Sequence, residues 1–167
     1  MIPFISILIP CHNAAPWLVQ TLESALAQTW AHKEIIVVDD GSTDDSAGIA
    51  HTYASRGVRL VLQENRGAAA ARNHALREAR GEFLQFLDAD DLISLEKISA
   101  QVALLSTRPT GTVASCAWGR FADDPATARF IDEAVFRDFT PMDFMALSAC
   151  TGAMMHPSAW LVPRAVA

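Results

Sequence analysis

The sequence predicts an α/β fold built on a mostly parallel central sheet. Over the first hundred residues, apolar runs rich in β-branched residues alternate with segments of helical periodicity, which is typical of parallel sheets with right-handed crossovers. Two of the apolar runs end in carboxylates, the first in Asp39 and Asp40 and the second in Asp88, Asp90 and Asp91. With 167 residues, 51% of them hydrophobic and 19% charged, the chain has the length and composition of one folded domain.

The first predicted strand covers residues 4–9, an apolar run expected in the middle of the sheet. Pro10 is predicted to end this strand, because proline cannot donate a hydrogen bond to a neighbouring strand. A helix is predicted over residues 16–28, since apolar residues recur there at helical spacing and proline is tolerated in a first turn.

The second unit has the same order. A buried strand is predicted over residues 34–38, and it leads into Asp39, Asp40 and Gly41. Glycine favours a sharp turn, and the Ser, Thr and Asp residues that follow favour the start of a helix reaching about residue 55.

The third unit is a strand over residues 58–62 and a helix over residues 68–79. Small residues on one side of this helix are expected to let it pack closely on the sheet. They are Ala68, Ala71, Ala75 and Ala79. Arg72 falls in the early turns of the same helix, near its N-terminus.

The fourth strand, over residues 83–87, delivers the second group of carboxylates. An amphipathic helix is predicted after it and is expected to end before Pro109. Its apolar face is predicted to comprise Leu95, Ile98, Val102 and Leu105.

The second half of the chain is less regular. A fifth strand is predicted over residues 112–118, a surface excursion without periodicity over 123–138, a short helix over 142–147 and a final strand over 159–162. Neither an internal repeat nor a linker is found, which predicts a single domain over residues 1–167.

Charge and cysteine content limit the functional classes. A net charge of −6 and a pI near 5.2 argue against binding nucleic acid through a broad basic surface. Cys11, Cys116 and Cys150 are predicted to be core thiols, because an odd number without C-x-x-C spacing suits a reducing cytoplasm. The apolar run over residues 5–9 predicts neither a signal peptide nor a membrane span, which leaves peripheral attachment to the inner face of the membrane open.

The carboxylates suggest a metal and a phosphate ligand. In open α/β sheets the ligand lies beyond the carboxyl ends of the strands, where both acidic groups are expected. Asp88, Asp90 and Asp91 repel one another unless a cation or hydrogen-bond donors hold them, and Mg²⁺ or Mn²⁺ suits such oxygen ligands. From this stretch alone, a solvated acidic turn that caps the next helix is an equal alternative. Arg72 at a helix start is suited to neutralising a diphosphate.

Four motifs in order resemble those of the family 2 glycosyltransferases. They are Ile5-Ser6-Ile7-Leu8-Ile9-Pro10 with Asn13, Ile36-Val37-Val38-Asp39-Asp40-Gly41-Ser42-Thr43-Asp44, Asn65-Arg66-Gly67 with Ala71-Arg72-Asn73, and Phe86-Leu87-Asp88-Ala89-Asp90-Asp91. Each motif is weak alone, but their joint order is specific. The resemblance covers residues 5–105, and a weaker match continues over residues 156–164. It implies the GT-A fold, a three-layer α/β/α sandwich.

The resemblance also implies roles for residues at the end of the first two strands. Asp40 is expected to hydrogen-bond the nucleobase, and Asp39 to support the turn that carries it. Pro10 and His12 are expected to line the base pocket, and Asn13 to bind the nucleotide beside them.

A second group is implied at the diphosphate. By resemblance, Arg72 contacts the nucleotide, Asp88 lies beside the ribose and the sugar, and Ala89 belongs to the same binding segment. Asp90, with Asp88, is expected to coordinate the Mg²⁺ or Mn²⁺ that bridges the diphosphate.

The activity implied is transfer of a sugar, with inversion, from a nucleoside diphosphate donor to a carbohydrate or lipid-linked acceptor. A UDP-sugar is the expected donor. Residues 1–107 would form the nucleotide-sugar half and residues 108–167 the start of the acceptor half. An inverting transfer needs a general base, which is expected beyond Ala167, so the catalytic base and the acceptor site are predicted to lie outside this chain.

Other interpretations remain open from the sequence. One is a nucleotide-binding fragment without turnover. Another is a phosphoacceptor signalling domain, which also places acids after two strands but needs a lysine on a late strand, whereas the lysines here are Lys33 and Lys97. His156 is predicted to be structural rather than a ligand. The four tryptophans are predicted to be core or rim residues, with stacking on a sugar as the alternative for one of them.

Overall fold

A computed structural model describes residues 2–151 and 156–167. In this part of the chain the strands are β1 (Ile5–Cys11), β2 (Lys33–Asp40), β3 (Val58–Gln63), β4 (Phe83–Phe86), β5 (Gly119–Arg120), β6 (Arg129–Phe130) and β7 (Val162–Pro163). The α-helices are α1 (Ala15–Leu26), α2 (Ser46–Thr52), α3 (Ala68–Glu78), α4 (Lys97–Leu105) and α5 (Pro141–Thr151).

The central sheet has five strands in the order β3-β2-β1-β4-β7. The pairs β3–β2, β2–β1 and β1–β4 are parallel, and only β7 runs antiparallel, against β4. The mostly parallel α/β architecture predicted from the sequence is therefore confirmed. Because consecutive parallel strands need crossover helices, the loops after β1, β2 and β4 meet at one edge of the sheet.

Two apolar clusters, one on each face of the sheet, make the fold three-layered. One cluster contains the inward side chains of β1 together with α1 and α4, including Ile7, Leu18 and Ile98. The other contains Leu8, Leu84 and the small side chains of α3. Ala71 and Ala75 are fully buried, which agrees with the close packing predicted for α3. Ala68, at the start of the helix, is exposed instead.

Pro10 does not end the first strand as predicted, but lies inside β1 opposite Val38. Leu8 accepts a hydrogen bond from the Leu87 amide at 2.9 Å, so the backbone groups of every second residue of β1, Pro10 included, face β4. Strand β4 ends at Phe86, level with Leu8. The missing N–H of Pro10 therefore costs no hydrogen bond to β4.

The second half differs from the sequence prediction. The strand expected over residues 112–118 is reduced to a bridge between Ala114 and Leu161, because β7 already occupies the edge of β4. The segment 123–138, predicted to be irregular, contains β6, which pairs with β5. The final strand, β7, begins at Val162 rather than at the predicted residue 159, because residues Pro157–Ala159 form a 3₁₀ turn. The short helix is α5, which is longer than predicted.

The thiols are not all in the core. Cys11 is buried and Cys116 half-buried, but Cys150 is exposed, so the prediction is wrong for Cys150. It lies on α5, in which none of the described side chains is buried. Across the described residues, none of the helices has the length and apolar character needed to cross a membrane.

Gly81, just before β4, provides a test of the packing between β1 and β4. A methyl group there would lie 2.4 Å from the Ser6 amide nitrogen and 2.8 Å from the Phe83 carbonyl oxygen. We expect Gly81→Ala to lower the free energy of unfolding by about 2 kcal/mol, as overpacking against a backbone does. Chemical denaturation measures this effect.

Gly57→Ala is the matched control. Gly57 also has no side chain, but its φ is +90° and a methyl group there meets nothing within 4 Å. This variant is expected to cost about 1 kcal/mol from backbone strain alone. A cost of Gly81→Ala no larger than that of Gly57→Ala would contradict the tight approach of the two strands.

Candidate functional site

A cavity of about 340 Å³ lies beyond the carboxyl ends of β1, β2 and β4. Eight of the nine site residues predicted from the sequence line it. They are Pro10, His12, Asn13, Asp40, Arg72, Asp88, Ala89 and Asp90. Asp39 is the exception. The fold thus gathers four motifs from distant parts of the sequence around one cavity.

Asn13 and His12 join the turn after β1 to the turn after β2. Asn13 has a φ of +51°, in the left-handed region that asparagine tolerates, and its Oδ1 accepts a hydrogen bond from the Thr43 amide at 2.8 Å. The Asn13 amide donates to Ser42 Oγ at 3.0 Å. His12 Nδ1 lies 2.9 Å from the Asp40 carbonyl oxygen. The two turns therefore form one wall of the cavity.

Asp39 supports the second turn from behind. Its side chain is buried and accepts hydrogen bonds from the Ser42 amide at 3.1 Å and from Ser42 Oγ at 2.5 Å. Gly41 between them has a φ of +67°, and a methyl group there would lie 2.8 Å from the Asn65 amide nitrogen. The turn after β2 thus needs glycine both for its conformation and for close contact with the turn after β3.

Asp40 anchors the turn after β3. It is 2% exposed, its Oδ1 accepts from Gln63 Nε2 at 2.6 Å and from the Arg66 amide at 2.8 Å, and its Oδ2 accepts from the Gly67 amide at 2.8 Å. Burial raises the pKa of Asp40, but these hydrogen bonds outweigh it and hold the pKa below its ordinary value. A carboxylate has about four acceptor positions, so about one remains, on Oδ2, for a ligand.

Arg72 and Asp88 face each other across the cavity. Arg72 Nη2 lies 2.6 Å from Asp88 Oδ1, and both side chains are partly exposed. The Nε of Arg72 is buried and has no hydrogen-bond partner among the described residues. The rest of the guanidinium is partly exposed and contacts Asp88 only through Nη2, so Arg72 keeps donor capacity for an anionic ligand.

The acids after β4 differ in their surroundings. The Asp90 side chain is exposed and makes no hydrogen bond to the described residues. Asp91 accepts a hydrogen bond from Ser158 Oγ at 2.5 Å, and its Oδ2 lies 3.4 Å from His156 Nδ1. Burial raises the pKa of Asp91 and the charges of Asp88 and Asp90 add to it, while Ser158 and His156 oppose the shift.

Ligand atoms of Asp88, Asp91 and His156 lie within 4.8 Å of one another, close enough to share a metal ion. This set overlaps the predicted pair Asp88 and Asp90 only in Asp88, and it brings in His156, which was predicted to be structural. A site dominated by carboxylate oxygens next to open space fits Mg²⁺ or Mn²⁺, which keep positions for water and phosphate oxygens.

Some lining residues were missed by the sequence reasoning. Asn65 and Gly67 belong to the third family motif, but neither of these two residues was given a role. Trp17, in the first turn of α1, is 51% exposed and lines the cavity beside Asn13. The sequence placed Trp17 only among the four tryptophans expected in the core or at a rim. Spacing gave it no individual role, because it lies off the apolar face of its helix. The Ser158 hydroxyl had no signal either, since a fold contact brings it to Asp91.

Comparison with known proteins identifies a family and several relatives of this chain. The sequence model of glycosyl transferase family 2 matches residues 6–163.

Among curated proteins, the chain is 42% identical over 96 residues to the uncharacterized glycosyltransferase EpsJ of Bacillus subtilis, covering 56% of this chain and 28% of that protein. It is 38% identical over 109 residues to the putative teichuronic acid biosynthesis glycosyltransferase TuaG of the same organism, covering 64% of this chain and 43% of that protein. The chain therefore spans less than half the length of these relatives.

Among solved structures, S. aureus TarS 1–349 in complex with UDP matches with a TM-score of 0.70 and 26% identity, over 81% of this chain and 40% of that one. The mannosyltransferase PcManGT of Pyrobaculum calidifontis, in complex with GDP-Man and Mn²⁺, matches with a TM-score of 0.65 and 31% identity, over 71% of this chain and 36% of that one. A further crystal structure of S. aureus TarS 1–349 matches the fold with a TM-score of 0.78 and 23% identity, over 97% of this chain and 47% of that one.

Proposed function

From the membership of this chain in glycosyl transferase family 2, we propose that it transfers a sugar from a nucleoside diphosphate donor to an acceptor hydroxyl. The predicted family and its GT-A fold are confirmed by the family match and the structural neighbours. Membership of this family removes the alternative of a phosphoacceptor signalling domain. The cavity is the observation that supports the proposal. It brings Asp40, at the end of β2, together with Asp88 and Asp90 after β4 and with Arg72 on α3.

We assign the nucleoside to the end of the cavity formed by Pro10, His12, Asn13 and Asp40. The free acceptor position on Asp40 Oδ2 suits an N–H group of a nucleobase. A UDP-sugar is the proposed donor. The binding of UDP by TarS supports this choice, while PcManGT binds GDP-Man, so a guanosine donor is the alternative.

We assign the diphosphate to the end formed by Arg72, Asp88, Ala89 and Asp90. Arg72 would donate hydrogen bonds to phosphate oxygens, and Asp88 would hold its guanidinium in place. Asp88 and Asp90 would hold Mg²⁺ or Mn²⁺, with Asp91 and His156 beside them. When bound, the metal supplies the positive charge that offsets charge building up on the departing diphosphate.

The acceptor side of the reaction stays a prediction. Each carboxylate of the cavity has a role toward the donor or the metal in this proposal, so none of them is assigned as the general base of an inverting transfer. The proposed acceptor is a carbohydrate or a lipid-linked sugar, which would suit peripheral attachment to a membrane. Residues 1–107 would supply most of the donor site, to which His156 and Ser158 are added, and the rest of residues 108–167 would belong to the acceptor half.

Calorimetric titration with UDP tests the proposal. Without a divalent cation, Asp88, Asp90 and Asp91 repel the diphosphate, so we expect weak binding that tightens by about a hundredfold or more when Mn²⁺ is added. Uridine, which carries no phosphate, is the control ligand and should bind equally with and without Mn²⁺. Equal affinity for UDP in both conditions would contradict the metal role, and no binding in either would contradict the function.

A further inference from the structure

Lys97, the first residue of α4, has a buried amine. The residue is 7% exposed, and its Nζ donates to the side-chain oxygens of Gln85 on β4 and of Gln101 one turn along α4, the latter at 2.8 Å. Both glutamines are buried as well. An ammonium group can only donate, so it holds the Oε1 atom of each glutamine toward itself.

That arrangement fixes what the two glutamines do on their other side. With each Oε1 facing Lys97, Gln85 Nε2 donates to the Ser158 carbonyl oxygen and Gln101 Nε2 to the Ala159 carbonyl oxygen, both at 2.9 Å. These carbonyls belong to the 3₁₀ turn Pro157–Ala159. Lys97 therefore holds this turn to the sheet through two amides of defined orientation.

The same turn reaches the acids of the proposed metal and diphosphate end. Ser158 Oγ donates to Asp91 Oδ2 at 2.5 Å and accepts from the Asp88 amide at 3.2 Å. A continuous set of hydrogen bonds thus runs from Lys97 through Gln85 and Ser158 to Asp91. Ser158 lies some 60 residues after Lys97, so only the fold makes this connection.

We propose that Lys97 is a positioning residue for donor binding, which acts through Gln85, Gln101 and Ser158 to hold the acids after β4 in place. The inference rests on the proposed function, because it assigns Lys97 to the metal and diphosphate end of that site. Lys97 itself touches neither the cavity nor the acids. Groups that support a metal's ligands in this way commonly affect metal affinity by about 10–100-fold.

A buried ammonium group without an ionic partner is unusual in a protein. Among the described residues no carboxylate pairs with it, and the titratable group that acts on it is the Cys116 thiol. Burial lowers the pKa of Lys97 to about 8, against a smaller opposing effect of Cys116. A second cavity of about 330 Å³, lined by Lys97, Gln101 and Cys116, gives the proton a route to solvent. Loss of the proton removes the charge assistance from both hydrogen bonds.

Stability and binding then respond to pH in opposite directions. The unfolded chain keeps the ordinary lysine pKa of 10.5, so between pH 8 and 10.5 it binds more protons than the folded chain, and the Lys97 contribution to stability rises with pH. Donor affinity is expected to fall as the pH rises through 8, because the hydrogen bonds that hold the turn of Ser158 weaken. A lysine with a purely structural role would not make donor binding weaker over a pH range in which the folded state becomes more stable.

Lys97→Met tests the proposal, with Lys33→Met as the matched control. Lys33 is the other lysine of the chain, and its amine also donates to two oxygens, the carbonyls of Gln28 and Trp30, away from the acids. UDP affinity in Mg²⁺ is measured by calorimetry from pH 7 to 9. We expect Lys97→Met to lower the affinity at pH 7 by about tenfold and to abolish its fall with pH, and Lys33→Met to change neither.

Thermal melts of the wild type and Lys97→Met over pH 8 to 10 give the second measurement. The difference in melting temperature between the two proteins isolates Lys97 from the other groups that titrate in this range. As pH rises, the wild type should become more stable relative to Lys97→Met. If Lys97→Met does not fold, Ser158→Ala decides, since it should lower affinity and remove the pH dependence through the same link. Wild-type affinity and pH profile in the soluble variant would overturn the inference, whereas a wild type without Mg²⁺-dependent UDP binding would overturn the proposed function itself.

Discussion

Asp90→Ala is expected to lower the affinity of the chain for UDP in Mn²⁺ by about a hundredfold, the upper end of the range for groups that merely support metal ligands. Asp90 lines the cavity, is exposed and makes no hydrogen bond to the described residues, so its carboxylate is available to a cation. For the same reason its removal should change the free energy of unfolding by no more than about 0.5 kcal/mol. Calorimetry with and without Mn²⁺ and a chemical denaturation curve give both values.

Asp123→Ala is the control for the loss of one negative charge. Asp123 is exposed too, but it does not line the cavity. It should leave UDP affinity unchanged in Mn²⁺. If Asp90→Ala keeps the full metal-dependent gain, Asp88, Asp91 and His156 alone would account for the metal site. If Asp90→Ala instead melts much earlier than the wild type, Asp90 has a structural role in the turn after β4.

Asp40→Ala is expected to have the largest combined effect on stability and binding. It leaves Gln63 Nε2 and the amides of Arg66 and Gly67 without their acceptor in a partly buried site. Unpaired buried donors typically cost about 1–3 kcal/mol, and with partial relaxation we expect a loss of about 3 kcal/mol in the free energy of unfolding. UDP affinity should fall by about tenfold or more.

A ligand comparison separates the nucleobase role of Asp40 from its role in the turn. If Asp40 accepts a hydrogen bond from the base, Asp40→Ala weakens UDP far more than it weakens ribose 5-phosphate, which lacks the base. Gln63→Leu is the control, because it removes one donor to Asp40 and keeps the carboxylate. Equal losses for both ligands in Asp40→Ala would mean that Asp40 acts only through the turn after β3.

The stability contributed by Asp40 also has a defined pH dependence. Its pKa in the folded chain is lowered, so the unfolded chain takes up its proton first as pH falls. This contribution is therefore complete above the ordinary pKa of 3.8 and is lost as pH falls through the lowered value. In Asp40→Ala that part of the acid sensitivity should be missing from the denaturation curves.

The first hundred residues could be predicted well because their signals are local. Apolar runs, most of the helical spacing and the turns around Gly41 and Gly67 agree with the final fold, so neighbouring residues were enough to specify the strands and most of the helical faces. The exception is Leu95, which was predicted on the apolar face of α4 but lies before that helix and is exposed. Pro10 was misplaced because the cost of a proline depends on whether a partner strand lies on its N–H side. Only the end of β4 at Phe86 decides that.

The second half could not be predicted in the same way, because its strands are short and decided by competition for one edge. Residues 112–118 have the composition of a strand, yet β7 takes the place beside β4 and leaves Ala114 with a single bridge. The exposed position of Cys150 likewise follows from α5 having no buried side chain among those described, not from its sequence.

The sequence by itself determined the family motifs, the parallel half of the sheet and the acids at its edge, since each is set by residues close together in the chain. Tertiary structure alone decided which groups those acids meet. It gives Asp40 three donors from β3 and the turn after it, pairs Arg72 with Asp88, and brings Ser158 and His156 to Asp91 across more than sixty residues. The physical reason is that the direction and partner of a buried polar group depend on packing, which local spacing does not encode.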